Sequence, residues 1–290
     1  MLPATSTDFL APMKPMETDH TKVRIPHLIA RKQRGEKISM LTAYDATMAR
    51  LLDRAGIDVL LVGDSLGSVI MGCDTTLPVT LDAIIHHTKA VCKGATRALV
   101  VADLPFLTYQ VDIPDAVRNA GRLLQEGGAA AVKLEGGVAM ADTVRRLVSI
   151  GIPVMGHVGL TPQSVHQLGG FRAVGKTTRE ADAVLEDARV LEQAGAFAVV
   201  LESMPADVAA SITRELTIPT IGIGAGPSCD GQVLVSYDAF GLFDEFVPRF
   251  VKQYARLGDA MTAATKEYVA EVREGRFPGP EHSIHVREKD

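Results

Sequence analysis

Short runs of Val, Ile, Leu and Ala recur along this chain, separated by stretches of helical periodicity, and this alternation restricts the fold more than any other feature. The runs fall near Ile38–Asp45, Asp58–Ser65, Ala98–Phe106, Ala130–Gly137, Pro153–Leu160, Ala196–Ser203, Pro219–Gly226 and Gly231–Tyr237. Between the first seven lie amphipathic segments such as ATMARLLDRAG, TLDAIIHHTKAVCKGA and DAVRNAGRLLQEGG. The segment TTREADAVLEDARVLEQAG opens with Thr177 and Glu180 at the spacing of a capping box, in which each residue satisfies the other's backbone N–H. Several of these segments finish in glycine (Gly56, Gly94, Gly127, Gly151, Gly195), which helix C-termini favour.

Buried β-branched runs alternating with helices predict an α/β fold with a parallel sheet. Eight strands within about 250 residues fit a closed (β/α)₈ TIM barrel. An open doubly wound sheet is the alternative, disfavoured because no G-x-G-x-x-G follows the first strand. No linker divides the chain, so residues 23–290 form a single barrel domain that includes a C-terminal helical extension, roughly Phe250 to Gly275. Residues 1–22, rich in Pro, Thr and Met, are expected to be a disordered extension. The long connection Thr161–Thr177 has the length of a lid or binding loop.

Composition removes several classes of function. The net charge of -5 shows no basic stripe for nucleic acid, and the absence of Trp argues against a base-stacking platform. No apolar run reaches the roughly 18 residues of a membrane span. The N-terminus has no cationic start followed by an apolar segment, as a secretory signal requires. The three cysteines, Cys73, Cys92 and Cys229, are isolated and odd in number, which suits reduced thiols and a cytoplasmic location.

The polar residues within the strands carry the functional reading. In a barrel the chemistry sits at the C-terminal strand ends. Asp45, Asp64, Asp103, the pair Lys133 and Glu135, His157 and Glu202 all fall late in successive strands. In AAVKLEGG (Ala130–Gly137), Lys133 and Glu135 are two apart and therefore share a face, turned to the barrel interior. Buried charges need partners or a metal. A lysine with three carboxylates on neighbouring strands, Asp64, Asp103 and Glu135, exceeds a self-satisfied pair, and clustered carboxylates repel unless a cation lies among them. Oxygen donors alone select a hard ion, Mg²⁺ first.

Such a site suits a small 2-oxo acid. A chelated cation draws electrons from the keto oxygen and stabilises the enolate formed when the adjacent carbon loses a proton. Lys133 would balance the substrate carboxylate or the enolate oxygen, and Glu202 across the pocket would be the base. Two readings of His157 stand open: donor to the developing oxyanion, or a core histidine satisfied by backbone. His86 and His87, on an expected helix, read as surface or packing residues.

The ordered segments TAYD (Thr42–Asp45), VGDSLG (Val62–Gly67), ADLPF (Ala102–Phe106), VKLEGG (Val132–Gly137), GHVGLTPQ (Gly156–Gln163), LESMP (Leu201–Pro205) and IGIGAG with DGQVLV (Ile221–Val235) resemble the ketopantoate hydroxymethyltransferase family from about Val23 to Val247. The resemblance implies a barrel of the phosphoenolpyruvate/pyruvate type. It implies transfer of a hydroxymethyl group from 5,10-methylenetetrahydrofolate to 3-methyl-2-oxobutanoate, giving 2-dehydropantoate in pantothenate biosynthesis. It further implies Asp64, Asp103 and Glu135 as ligands to one Mg²⁺ per subunit, and Asp64, Ser65, Asp103 and Lys133 as 2-oxo acid contacts. Glu202 matches the proton acceptor and His157 a pocket histidine. The assembly implied is a homo-oligomer, commonly a decamer.

In LESMP, Ser203 and Met204 stand where the family often has Cys and Val, and only packing differences are expected. IGIGAG read alone is a weak phosphate-turn signal, better suited to a pocket wall or the folate side. Two other classes stay in view: a folate-free lyase or mutase on the same barrel, and a catalytically silent scaffold. The first lacks its K-K-C-G-H or E-D-K-x tract here; the second predicts a missing acid, and none is missing.

Overall fold

The computed structural model describes residues 21–170, 172–243 and 247–284. Its eight strands are β1 (Ile38–Thr42), β2 (Val59–Val62), β3 (Leu99–Asp103), β4 (Ala131–Lys133), β5 (Val154–Gly159), β6 (Ala198–Glu202), β7 (Thr220–Ile223) and β8 (Gly231–Leu234). They pair in chain order, all parallel, and β8 closes on β1. The sheet therefore has no edge, which excludes the open doubly wound alternative and bears out the barrel. The expected extension past Val23 toward Met1 lies almost wholly outside the described residues.

Strand alternation sorts the residues into two cores. On β2, Val59 and Leu61 point inward while Leu60 and Val62 meet the helices; on β3, Leu99 and Val101 point inward while Val100 and Ala102 do not. The inner face is apolar along most of each strand and turns polar at its last inward position: Thr42, Asp103, Lys133, His157 and Glu202 occupy these places. The pairing register sets Asp103 directly beside Lys133. A one-residue slip in either strand would send that side chain into the helix layer, so the apolar pattern beneath fixes the site above it.

Helices Ala46–Arg54, Leu81–Gly94, Ile113–Gln125, Ala141–Ser149, Thr178–Gln193 and Ala206–Glu215 fill the intervals between β1 and β7. The capping box at Thr177 and Glu180 forms as expected, with Glu180 N–H to Thr177 Oγ1 and Thr177 N–H to Glu180 Oε2 both at 3.3 Å. Residues 224–230 join β7 to β8 without a helix. The C-terminal tract forms a helix over Leu257–Arg273, shorter than the sequence suggests and with no buried residue.

A helix at Ile25–Arg34, not anticipated from the sequence, precedes β1. Leu28 is its one buried residue and joins the interior cluster with Ile38 and Met40. One apolar anchor leaves no periodicity to read. Ion pairs from Arg31 to Asp58 (2.7 Å) and from Lys32 to Asp230 (2.8 Å) bind the helix to the turns preceding β2 and β8.

Asp53 fixes the turn that enters β3. Its carboxylate accepts from the N–H groups of Thr96 (2.9 Å), Arg97 (3.1 Å) and Ala98 (2.7 Å) and from Thr96 Oγ1 (2.7 Å). Burial raises its pKa, but these donors outweigh burial and the net shift is downward. Its folded value thus lies below the unfolded value of about 3.9, so its stabilisation is complete above that pH and disappears as pH falls through the folded value. Asp53→Ala should cost about 1–3 kcal/mol by leaving buried N–H groups unpaired. Thermal unfolding at pH 7 and pH 3 checks this: the deficit should be large at pH 7 and smaller at pH 3, and equal deficits would count against it.

Candidate active site

Five of the anticipated side chains meet at the C-terminal mouth of the barrel. Lys133 Nζ lies 2.9 Å from Asp103 Oδ1 and 3.2 Å from His157 Nδ1. His157 Nδ1 is 3.6 Å from Glu135 Oε1, and its Nε2 is 3.1 Å from Glu202 Oε2. Asp64 joins through the protein: its backbone N–H donates to Asp103 Oδ2 (3.0 Å), and its Oδ2 accepts from the Gln163 amide (2.9 Å). Ser65 stands at the edge of the group, with its Oγ 2.8 Å from the Tyr44 hydroxyl. Asp45 takes no part, despite its place at the rim. It is the exposed N-cap of helix Ala46–Arg54 and accepts from the N–H groups of Thr47 and Met48 at 2.8 Å.

The backbone is shaped to bring these groups together. Gly63 precedes Asp64, and a Cβ on it would stand 2.9 Å from Ser65 Oγ and 3.3 Å from Asp103 Oδ2, so glycine leaves room for both. Gly159, with φ +94°, lets β5 turn across β6; a Cβ there would fall 2.3 Å from the Glu202 carbonyl oxygen. Ser203 follows Glu202 with φ +48°, a left-handed residue that ends β6. Met204 beyond it is buried in the helix-facing core.

Electrostatics at the mouth are dominated by burial. Burial pushes the Asp103 carboxyl up to about 6, aided by Asp64 and opposed by Lys133. Burial, with Asp64 close by, also holds Glu135 well above the carboxylate range. For Lys133 burial works against the charge, but Asp103, Glu135 and Asp64 together outweigh it and its pKa is raised. Burial and the Lys133 charge lower the pKa of His157, with Glu202 opposing. A neutral His157 beside an ammonium must accept at Nδ1, because Lys133 has only protons to offer, so its own proton sits on Nε2 and faces Glu202. Its surroundings are therefore charged side chains rather than backbone: Nδ1 meets Lys133, and Nε2 lies 3.1 Å from Glu202 Oε2 without an aligned hydrogen bond.

Four carboxyl groups, those of Asp64, Asp103, Glu135 and Glu202, crowd around one lysine here, more acid than a single ammonium can neutralise. Asp103 Oδ1, close to Lys133, is out of line for a hydrogen bond and has no such partner among the described residues. A buried carboxylate oxygen that is ion-paired but receives no aligned hydrogen bond, in an oxygen-only donor set, fits a hard divalent cation. Among the described residues no three His, Cys, Asp or Glu side chains stand close enough together to enclose an ion directly. The outer oxygens of Asp64, Asp103 and Glu135 are instead held by N–H donors. The donor chemistry therefore fits an ion that keeps water in part of its shell, as Mg²⁺ does.

Comparison with known proteins decides the family. The family model for ketopantoate hydroxymethyltransferase matches residues 22–280. The chain belongs to the ketopantoate hydroxymethyltransferase family. A 3-methyl-2-oxobutanoate hydroxymethyltransferase of Moorella thermoacetica is 60% identical over 264 residues, covering 91% of this chain and 98% of that protein. The enzyme of the same name from Syntrophus aciditrophicus is 58% identical over 253 residues, covering 87% and 93%. Hydroxymethyl transfer to 3-methyl-2-oxobutanoate, the first step of pantothenate synthesis, is accordingly the activity of this family member. The lyase, mutase and silent-scaffold alternatives are set aside.

Solved structures extend the likeness in fold. A phosphonopyruvate hydrolase in complex with oxalate and Mg²⁺ matches with TM-score 0.59 at 12% identity, covering 90% of this chain and 93% of that one. A phosphoenolpyruvate phosphomutase from Streptomyces platensis matches with TM-score 0.60 at 14% identity, covering 90% and 92%. These likenesses are of fold alone, a barrel as the sequence reading expected.

Three residues of the neighbourhood carry no role in the sequence reading: Tyr44, Tyr109 and Gln163. Tyr109 and Gln163 are buried, and Tyr44 holds Ser65. Gln163 closes the GHVGLTPQ segment at the start of the long loop, whose first part forms helical turns at Pro162–Ser164 and Val165–Leu168. The only signal was a neutral amide in a quoted motif. His87 sits as expected among packing residues, with Nδ1 2.6 Å from the Tyr44 carbonyl oxygen.

Proposed function

We propose that the mouth of this barrel binds 3-methyl-2-oxobutanoate and one Mg²⁺ per subunit, with Glu202 as the catalytic base and 5,10-methylenetetrahydrofolate as the one-carbon donor. The observation that carries this reading is the placement of Lys133 against Asp103 at 2.9 Å with Glu202 on the far side of His157. Asp64, Asp103 and Glu135 would hold the cation, directly or through water. When bound, the ion supplies Lewis-acid polarisation of the keto oxygen.

The chain's own groups do the rest. Lys133, kept charged by its carboxylate neighbours, offers an ammonium to the substrate carboxylate or keto oxygen, and Ser65 a hydroxyl. Glu202 is the most accessible acid of the cluster, its side chain 16% exposed against 3% for Asp103 and Glu135, so it can face a substrate carbon. It takes the proton from the branched carbon. One of the two carbon–nitrogen bonds of the donor's methylene bridge would open, its nitrogen taking up a proton; the carbon nucleophile would then bond to that methylene, and water would displace the second nitrogen, leaving the hydroxymethyl product and tetrahydrofolate. The Nε2 proton of His157 points at Glu202 and keeps that carboxylate oriented between turnovers.

The same reading includes a homo-oligomer. Helix Leu257–Arg273 exposes Leu257, Met261, Tyr268 and Val272 and buries none of its residues, so a second copy is the natural cover for it. The count of ten subunits rests on family resemblance. Three free thiols support a cytoplasmic setting, and among the described residues no helix is long and apolar enough to cross a membrane.

Asp103→Ala tests the cation assignment. Calorimetry with Mg²⁺ and 3-methyl-2-oxobutanoate together should show binding weakened by about 10²-fold or more, since an ion ligand and the partner of Lys133 are lost at once. Wild-type binding of both by this variant would remove Asp103 from the site.

A further inference from the structure

We infer that Gln163 is a positioning residue that holds two of the cation-binding carboxylates in their working orientation, and that Tyr109 sets the orientation of its amide. This rests on the proposed site, in which Asp64 and Glu135 are ligands. The Gln163 amide nitrogen donates to Asp64 Oδ2 (2.9 Å) and to the Leu104 carbonyl (3.0 Å), and its backbone N–H donates to Glu135 Oε2 (3.0 Å). One residue at the start of the β5 loop therefore reaches an acid following β2 and another following β4. In each case it takes one carboxylate oxygen and leaves the other unclaimed by its own donors.

The direction of the amide is fixed by chemistry. Two acceptors that cannot donate, Asp64 Oδ2 and the Leu104 carbonyl, lie at one end, so the NH₂ group must be there. At the other end Gln163 Oε1 accepts from Tyr109 OH (2.8 Å) and from the Gln110 amide (3.1 Å). Tyr109 in turn accepts from the Glu135 N–H (3.2 Å), and its single proton has two acceptors, Gln163 Oε1 at 2.8 Å and the Glu135 carbonyl at 3.2 Å, of which the shorter is Gln163. Gln163 is 5% exposed and Tyr109 2%, so both act from within the protein. A buried residue whose amide nitrogen binds Asp64, whose backbone N–H binds Glu135 and whose amide oxygen is held by Tyr109 and Gln110 acts through those acids. Partners that orient metal ligands are typically worth about 10- to 100-fold in metal affinity.

The test is a calorimetric titration of Mg²⁺ alone into the purified full chain and into Gln163→Met, Tyr109→Phe and Asp103→Ala, followed by turnover as a function of Mg²⁺. Gln163→Met keeps the volume and removes the amide; its dissociation constant for Mg²⁺ should rise about 10- to 100-fold. Tyr109→Phe keeps the ring and removes one hydrogen bond, and should raise it about fivefold. In both, kcat should return toward the wild-type value at saturating Mg²⁺, which a general loss of structure would not allow. If Gln163→Met does not fold, Tyr109→Phe decides. Dissociation constants within twofold of wild type, or a kcat that excess Mg²⁺ does not restore, overturn the role of Gln163 while Asp103→Ala still loses Mg²⁺. An Asp103→Ala chain that binds Mg²⁺ normally overturns the site itself.

Discussion

Glu202→Gln is expected to slow exchange of the branched-carbon proton of 3-methyl-2-oxobutanoate by about 10³-fold, the usual scale for removing a positioned base. The change is isosteric and leaves the β6 end undisturbed, where the Glu202 carbonyl accepts from Leu160 N–H at 2.9 Å. An amide oxygen can still accept the proton on His157 Nε2, so the side chain keeps its place opposite the buried cluster. It cannot take up a proton from carbon. Because Lys133, Asp103 and Asp64 are untouched, affinity for the 2-oxo acid with Mg²⁺ should stay within about threefold, a change confined to the chemical step. Exchange at the wild-type rate in this variant would show that another group is the base.

Lys133→Met should produce the largest combined effect on stability and binding. Lys133 is buried, and its charge survives there only because Asp103, Glu135 and Asp64 surround it. Removing one partner of a buried ionic group leaves the others uncompensated, at a cost of about 3–5 kcal/mol. The raised pKa means this contribution is fully present below about pH 10 and is lost only in strong alkali. Methionine keeps the chain volume, so the loss would report charge rather than a cavity. The Michaelis constant for the 2-oxo acid should rise about 10²-fold with the loss of a charge-assisted contact worth about 3 kcal/mol. Added Mg²⁺ should raise the unfolding temperature of the variant more than that of the wild type, since a dication would neutralise the same acids. A variant as stable as wild type, with equal response to Mg²⁺, would show that the ammonium is not what holds the acids together.

The legible parts of this protein were those where sequence alone carries a physical cost. Charges inside apolar runs are expensive, so Asp103, Lys133, Glu135, His157 and Glu202 stood out, and strand period placed them on one face. The barrel was legible for the same reason, in the repetition of buried strands and amphipathic helices. Asp45 showed the limit of that reasoning: an acid at a strand end also caps a helix, and only the chain's path separates the two. Gln163 and Tyr109 were invisible because neutral polar side chains in loops pass as ordinary until their partners are seen across the fold. The helix at Ile25–Arg34 escaped because only Leu28 is fully buried in it and its other ties are ion pairs from Arg31 and Lys32, whose partners lie far along the chain. The acids proposed to hold the cation could be read from the sequence, but the N–H groups that bind their oxygens could not.

The most direct measurement is proton NMR of 3-methyl-2-oxobutanoate in deuterium oxide with the full chain, folate omitted, the divalent cation first stripped and then restored with Mg²⁺. The branched-carbon proton should persist without the cation, vanish after Mg²⁺ is returned, and persist again with Glu202→Gln whatever the Mg²⁺ concentration. Exchange that proceeds equally in the stripped protein and in Glu202→Gln would contradict the assignment of base and cation alike.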